Sequence, residues 1–180
     1  VWGKTEEVAE SSDLFAVQYP NEEIHPIFKN FNDWVLLIHE GEKSVSSTVG
    51  HGLMKTNPYA ERRFQEAHEN FKTLKEILKT GDMPNFIKLV EHEALTLHAM
   101  MMMSEPAFIL MKTGTLEVIN KIWNFRKETG LSLFFTLDAG ANVHLLFPED
   151  SNSEKIKEFI VKELLRHSQN NGVVKDEMRF

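Results

Sequence analysis

Phe134-Phe135-Thr136-Leu137-Asp138-Ala139-Gly140-Ala141-Asn142-Val143-His144-Leu145-Leu146-Phe147 reads as a strand, a tight bend and a second strand, since two apolar, β-prone runs flank a small Asp-Ala-Gly-Ala-Asn connection. So short a connection predicts an antiparallel hairpin. Asp138 stands where a buried strand delivers a charged side chain into the bend. A carboxylate there is costly unless it finds hydrogen bonds or a cationic partner. Ala139 and Gly140 leave room for a ligand to approach the backbone. Two readings stay open at this point: an Asx-turn capping its own bend, and a functional carboxylate.

Working outward, Gly130 stops a helix over about 115–129, packed through Leu116, Ile119, Ile122 and Phe125 with Thr115 able to cap it. After the hairpin, Ser153 caps a helix through about Ser168, packed by Ile156, Phe159, Ile160, Leu164 and Leu165, and Gly172–Phe180 can add an edge strand. Upstream, Phe64, Ala67, Phe71, Leu74 and Leu78 recur at helical spacing, ended by Gly81, and Asp82 opens a second stripe through Phe86, Leu89, Val90, Ala94, Leu97 and Met101. So short a turn makes these two helices antiparallel neighbours. Asp33–His39 is a strand whose continuous apolar run suggests burial on both faces. Residues 3–32 show no periodicity and read as lead-in and loop. Antiparallel strands with helices predict an α+β two-layer sandwich, a mainly antiparallel sheet with helices packed on one face.

Bulk properties narrow the function. The 180 residues are 42% apolar and 26% charged, ordinary for one folded core, and the formal charge is −7, with 27 acidic against 20 basic side chains. That balance argues against a nucleic-acid or anionic-membrane surface. No cysteine is present, which removes disulfides, thiolate chemistry and zinc–thiolate sites. Apolar runs too short for a bilayer, and no basic-then-apolar opening, make a cytoplasmic protein the expectation. The eight histidines show no compact ligand spacing, so no metal site is expected. His98 can face the candidate site or hydrogen-bond to backbone at the core edge. Of Met100–Met103 a core role is expected.

A second polar constellation, Lys43-Ser44-Val45-Ser46-Ser47-Thr48-Val49-Gly50-His51-Gly52, offers hydroxyls, a lysine and two glycines ahead of a helix, a composition able to bind phosphate oxygens. It lacks the P-loop order. Beside a lone carboxylate at a strand end, it suits phosphoryl transfer to a small hydroxylated substrate.

These two segments resemble a known family. Lys43–Leu53 is similar to the Lys-x-Val-Ser-Ser-Thr/Arg-x-Gly-Met segment of diphosphomevalonate decarboxylases, and Thr136–Asn142 to their Thr-Phe-Asp-Ala-Gly-Pro-Asn segment. Glu93–Ala99 resembles the intervening Glu/Ser-x-x-x-x-His-Ala element, and Ile122-Trp123 precedes the Asp segment as in the family. Ala141 replaces the usual proline, and His51-Gly52 replaces Gly-Met.

The resemblance implies an enzyme of the GHMP kinase superfamily with a ferredoxin-like C-terminal domain. It would use ATP and Mg2+ to phosphorylate the tertiary hydroxyl of mevalonate 5-diphosphate, then release phosphate and CO2 to give isopentenyl diphosphate. Asp138 would be the catalytic carboxylate. Ser46, Ser47 and Thr48 would bind the substrate's diphosphate or lie beside it, while Ala139, Gly140 and Asn142 shape the bend around Asp138. Residues 1–30 would be the lead-in from a preceding ATP-binding domain and 31–180 the C-terminal domain, inactive alone, with that N-terminal domain and a second copy in a homodimer as partners. The opening Val1-Trp2-Gly3, without an initiator methionine, fits one domain cut from a longer chain, with Trp2 and Phe15 left exposed. Another GHMP small-molecule kinase, or a non-catalytic ligand-binding or dimerisation module, are the rival classes.

Overall fold

The computed structural model describes residues 1–41, 52 and 57–179. Among these, four strands form one antiparallel sheet in the order β2-β3-β1-β4: β1 (Asn30–Leu36), β2 (Phe134–Thr136), β3 (Val143–Pro148) and β4 (Val173–Arg179). The hairpin is antiparallel as expected, with Phe135 opposite Leu145. β1 joins it through Trp34 opposite Leu145, and β4 closes the far edge with Asp33 opposite Asp176. The long helices are α1 (Ala60–Thr80), α2 (Met83–Met102) and α3 (Thr113–Thr129); α4 (Ser153–Phe159) is shorter and continues as a wider π turn over Ile160–Leu164.

Alternation along the strands sorts side chains between two faces. Trp34, Leu36, Phe135, Val143, Leu145 and Phe147 point to one face and pack against Val118, Ile119 and Ile122 of α3 and Ile156, Ile160 and Leu164 from α4 and its continuation. Each such side chain contributes about 1.5–3 kcal/mol on full burial. The opposite face is divided. At one end Phe31 and Phe134 are covered by Phe28, Ile77, Met83 and Ile87, with Phe86 meeting Phe134 edge-on at 5.7 Å. At the other end Asp33, Thr136 and His144 remain only half-buried. α2 runs beside the β2 edge and serves both cores, Ala94 in the main one and Met83 and Ile87 in the smaller.

Local stop signals are obeyed. Gly81 (φ +78°) and Gly130 (φ +71°) end α1 and α3 in the left-handed conformation, and the Asp82 side chain accepts from Asn85 N to cap α2. Other expectations need correction. β1 begins three residues earlier and ends at Leu36, because its pairing with β3 and β4 spans Asn30–Leu36; the face bearing Val35 is only half-buried. Thr115 caps α3 from the third helical position, its hydroxyl accepting from the backbone of the N-cap residue Lys112, whereas Ser153 is the first residue of α4, its hydroxyl given to Glu149 at 2.8 Å. Leu116 is half exposed and Val118 takes its place in the core. The α1 stripe is half-buried at Ala67, Phe71, Leu74 and Leu78 and open at Phe64, 53% exposed, since α1 packs mainly on α2 and only its last turns reach the sheet's smaller core. Met100 and Met101 are core, whereas Met102 and Met103 face outward. Trp2 and Phe15 are exposed. None of the described helices is long and apolar enough to cross a membrane.

Candidate functional site

The Asp138 bend is tied down through its backbone and through Asn142, not through Asp138's carboxylate. Gly140 N donates to Asp138 O at 2.7 Å, making a tight turn centred on Ala139. Thr115 Oγ1 donates to Ala141 O at 2.7 Å while accepting from Lys112 N at 3.1 Å, so one buried hydroxyl closes the first turn of α3 and grips the bend. Asn142 Oδ1 accepts from His39 N at 3.0 Å, which joins the bend to the segment after β1. His98 of α2 completes the frame, its Nε2 lying 3.1 Å from Asp138 O. A carbonyl oxygen only accepts, so Nε2 carries the proton. Burial, the larger influence, pushes the His98 pKa below the ordinary 6.5, against the pull of the Asp138 carbonyl, and keeps the ring neutral.

With its carbonyl held, Asp138 sends its side chain outward, 85% exposed. The Asx-turn reading loses ground here, since the turn is closed by the main-chain oxygen of Asp138. Among the described residues its ion-pair neighbour is His144, whose Nε2 lies 3.7 Å from Oδ2. The other ring nitrogen of His144, Nδ1, lies 3.0 and 3.1 Å from the two carboxylate oxygens of Asp33. That Asp33 hydrogen bond is the main cause holding the His144 pKa above 6.5, opposed by burial and helped by the charges of Asp33 and Asp138.

Ala139, Gly140 and Asn142 therefore sit around Asp138 as bend-forming residues. Ser46, Ser47 and Thr48 lie outside the described residues. Three contributors escaped the sequence reading: Asp33, His144 and the second hydrogen bond of Thr115. Asp33 interrupts an apolar strand and His144 stands at an outward position of β3, which are local signals, but the register that joins them links residues 111 apart. Among the described residues no three His, Asp or Glu side chains form a group able to hold a metal.

The four-stranded antiparallel sheet with its helical layer and this bend define a GHMP-kinase-type C-terminal domain. The family model for the mevalonate 5-diphosphate decarboxylase C-terminal domain matches residues 34–179, and the chain belongs to that family. It is 26% identical over 90 residues to phosphomevalonate decarboxylase of Haloferax volcanii, covering 50% of this chain and 28% of that sequence. Among solved structures, a mevalonate diphosphate decarboxylase from Legionella pneumophila is 28% identical with a TM-score of 0.73, covering 88% of this chain and 47% of that one. The mevalonate pyrophosphate decarboxylase of Streptococcus pyogenes, at 21% identity and TM-score 0.74 over 84% of this chain and 46% of its own, shares the fold. The matched region is less than half the length of each of these relatives.

Proposed function

We propose that this chain is the substrate-side domain of an ATP-dependent decarboxylase that converts mevalonate 5-diphosphate to isopentenyl diphosphate. Residues 1–30 lead in from a preceding domain, and 31–180 form the unit that carries the reacting carboxylate. The observation that carries the reading is an outward Asp138 side chain on a bend anchored by Thr115, His98 and Asn142. A fixed backbone with a solvent-exposed carboxylate is what a tertiary alcohol, a poor nucleophile, requires. Asp138 accepts the hydroxyl hydrogen bond, and takes the proton, as the oxygen bonds to the terminal phosphorus of ATP and the bond to ADP breaks. In the second step the C–C bond to the carboxylate supplies the electron pair of the new double bond, and CO2 and phosphate leave. Ala139 and Gly140 keep the approach open, and Ser46, Ser47 and Thr48 bind the diphosphate. ATP and Mg2+ belong to the preceding domain, as the resemblance to the decarboxylase family implies. The chain is accordingly inactive alone, works in the cytoplasm, and pairs with a second copy in the whole protein.

A second reading follows from the Haloferax volcanii relative, a phosphomevalonate decarboxylase: the substrate can carry one phosphate in place of two. The test uses the full-length parent protein with ATP and either mevalonate 5-phosphate or 5-diphosphate, following ADP and CO2 together, beside Asp138→Ala. Equal ADP and CO2 from the diphosphate, both nearly abolished in the variant, are expected. Faster turnover of the monophosphate selects the second reading. ADP without CO2 makes the protein a kinase of the same superfamily, and neither product leaves a binding or dimerisation module.

A further inference from the structure

His144 occupies the place where the open part of the sheet meets the Asp138 bend. Val143, Leu145 and Phe147 are buried in the main core, so His144 and Leu146 point to the other face. Register sets Leu146 opposite Asp33 and His144 opposite Val35, which brings the Asp33 carboxylate diagonally onto the imidazole. Among the described residues the charged groups that reach the ring are Asp33 from β1 and Asp138 from the bend; Asp176 of β4 lies opposite Asp33 on the far side, and β2 presents Thr136 directly opposite His144.

The two ring nitrogens have different duties. Asp33 only accepts, so Nδ1 carries a proton whether the ring is charged or neutral. Nε2 carries one only in the imidazolium, and a neutral ring would turn a lone pair toward the Asp138 carboxylate. A ring between two carboxylates favours the cation, in line with the raised His144 pKa. The 3.7 Å gap from Nε2 to Asp138 Oδ2 closes with a small rotation of an exposed side chain.

We infer that His144 is a positioning residue: as an imidazolium clamped by Asp33, it holds one oxygen of Asp138 toward the sheet and leaves the other turned outward for the substrate hydroxyl. This rests on the reading of Asp138 as the carboxylate that orients that hydroxyl. The device is engaged below the His144 midpoint and released as pH rises through it. An ion pair with so exposed a partner is worth up to about 1 kcal/mol, so the effect on turnover is up to about fivefold.

The test is NMR of the 180-residue chain with labelled Asp and His, from about pH 5 to about pH 9, the range in which histidine titrates. The expected result is an inflection of the Asp138 carboxyl carbon at the His144 midpoint, absent in His144→Gln, with the midpoint itself lowered in Asp33→Asn. In the full-length protein, His144→Gln is expected to lose up to about fivefold in kcat below that midpoint, with KM unchanged and little difference above it. An Asp138 carboxyl resonance that ignores both the His144 titration and His144→Gln overturns the inference, as does NMR coupling with an unaltered kcat profile in an active enzyme. If the parent releases no CO2 while the coupling is present, the clamp stands and the decarboxylase reading falls. Thermal melts of each variant separate these outcomes from misfolding.

Discussion

Glu91 and Asp138 are both carboxylates beside strand β2, and the fold treats them oppositely. Glu91, on α2 and 7% exposed, is enclosed: Arg126 meets its two oxygens at 2.8 and 2.9 Å, and Trp123 Nε1 adds a third contact at 2.9 Å. Arg126 also donates to Leu133 O just before β2, so this cluster pins one end of the edge strand. His98, two helical turns beyond Glu91 on the same face of α2, pins the other end at Asp138 O. There the helix takes the carbonyl and leaves the carboxylate exposed beside His144. One acid is consumed by the structure and the other presented by it.

Replacing each acid tests that contrast. In the full-length protein, Asp138→Asn is expected to cut CO2 release by about 10²–10⁴-fold, the usual range for a lost proton acceptor, while thermal unfolding stays unchanged. A parallel loss of stability would make Asp138 another structural acid. Glu91→Ala is expected to show the reverse in urea unfolding of the chain, a loss of about 3–5 kcal/mol because Arg126 is left without its buried partner. A near-neutral result would remove the distinction between the two carboxylates.

Thr115→Val probes the anchor itself. It keeps the shape but strips the hydroxyl from Ala141 O and Lys112 N, for an expected loss of about 1–3 kcal/mol, measured by denaturant midpoint, with Thr115→Ser restoring most of it. If turnover in the parent falls more than stability does, the bend's rigidity matters to the reaction.

The smallest effect is expected at Glu149, where Asn32 first, then Lys157 and Ser153, hold the carboxyl down at about 2 from 4.5. A group with a depressed folded pKa stabilises above its unfolded value, so this contribution is present above about pH 4.5 and is lost as pH falls toward about 2. Denaturant midpoints across that window should fall less steeply in Glu149→Gln. An equal slope would mean that partial exposure has screened the network away.

What could be read without coordinates follows from locality. Gly81, Gly130 and Asp82 mark boundaries through a single residue's backbone or side-chain chemistry, and each stands where expected. The hairpin and the edge strand were legible because alternation and turn residues are short-range patterns. Thr115 was legible as a capping threonine but not as an anchor, because the bend it grips lies 26 residues away. The α1 stripe misled because periodicity says which side is apolar and not how much of that side finds a partner. Asp138 was legible as a charge at the end of an apolar run. Its neighbours Asp33 and His144 were not, since their meeting depends on which strand lies between which others.

By itself the amino-acid sequence determined the succession of helices and strands, the antiparallel hairpin, the bend and the carboxylate it carries, because each is set by interactions spanning a few residues. Only the tertiary structure decided that Asp138's carbonyl would be bound and its carboxylate left exposed, and that an Asp33–His144 pair would stand beside it. Those outcomes arise when β1 inserts between β3 and β4 and α2 settles along the β2 edge. Closing such long loops is driven by burial of the two cores, and the register that results is a property of the whole packed sheet.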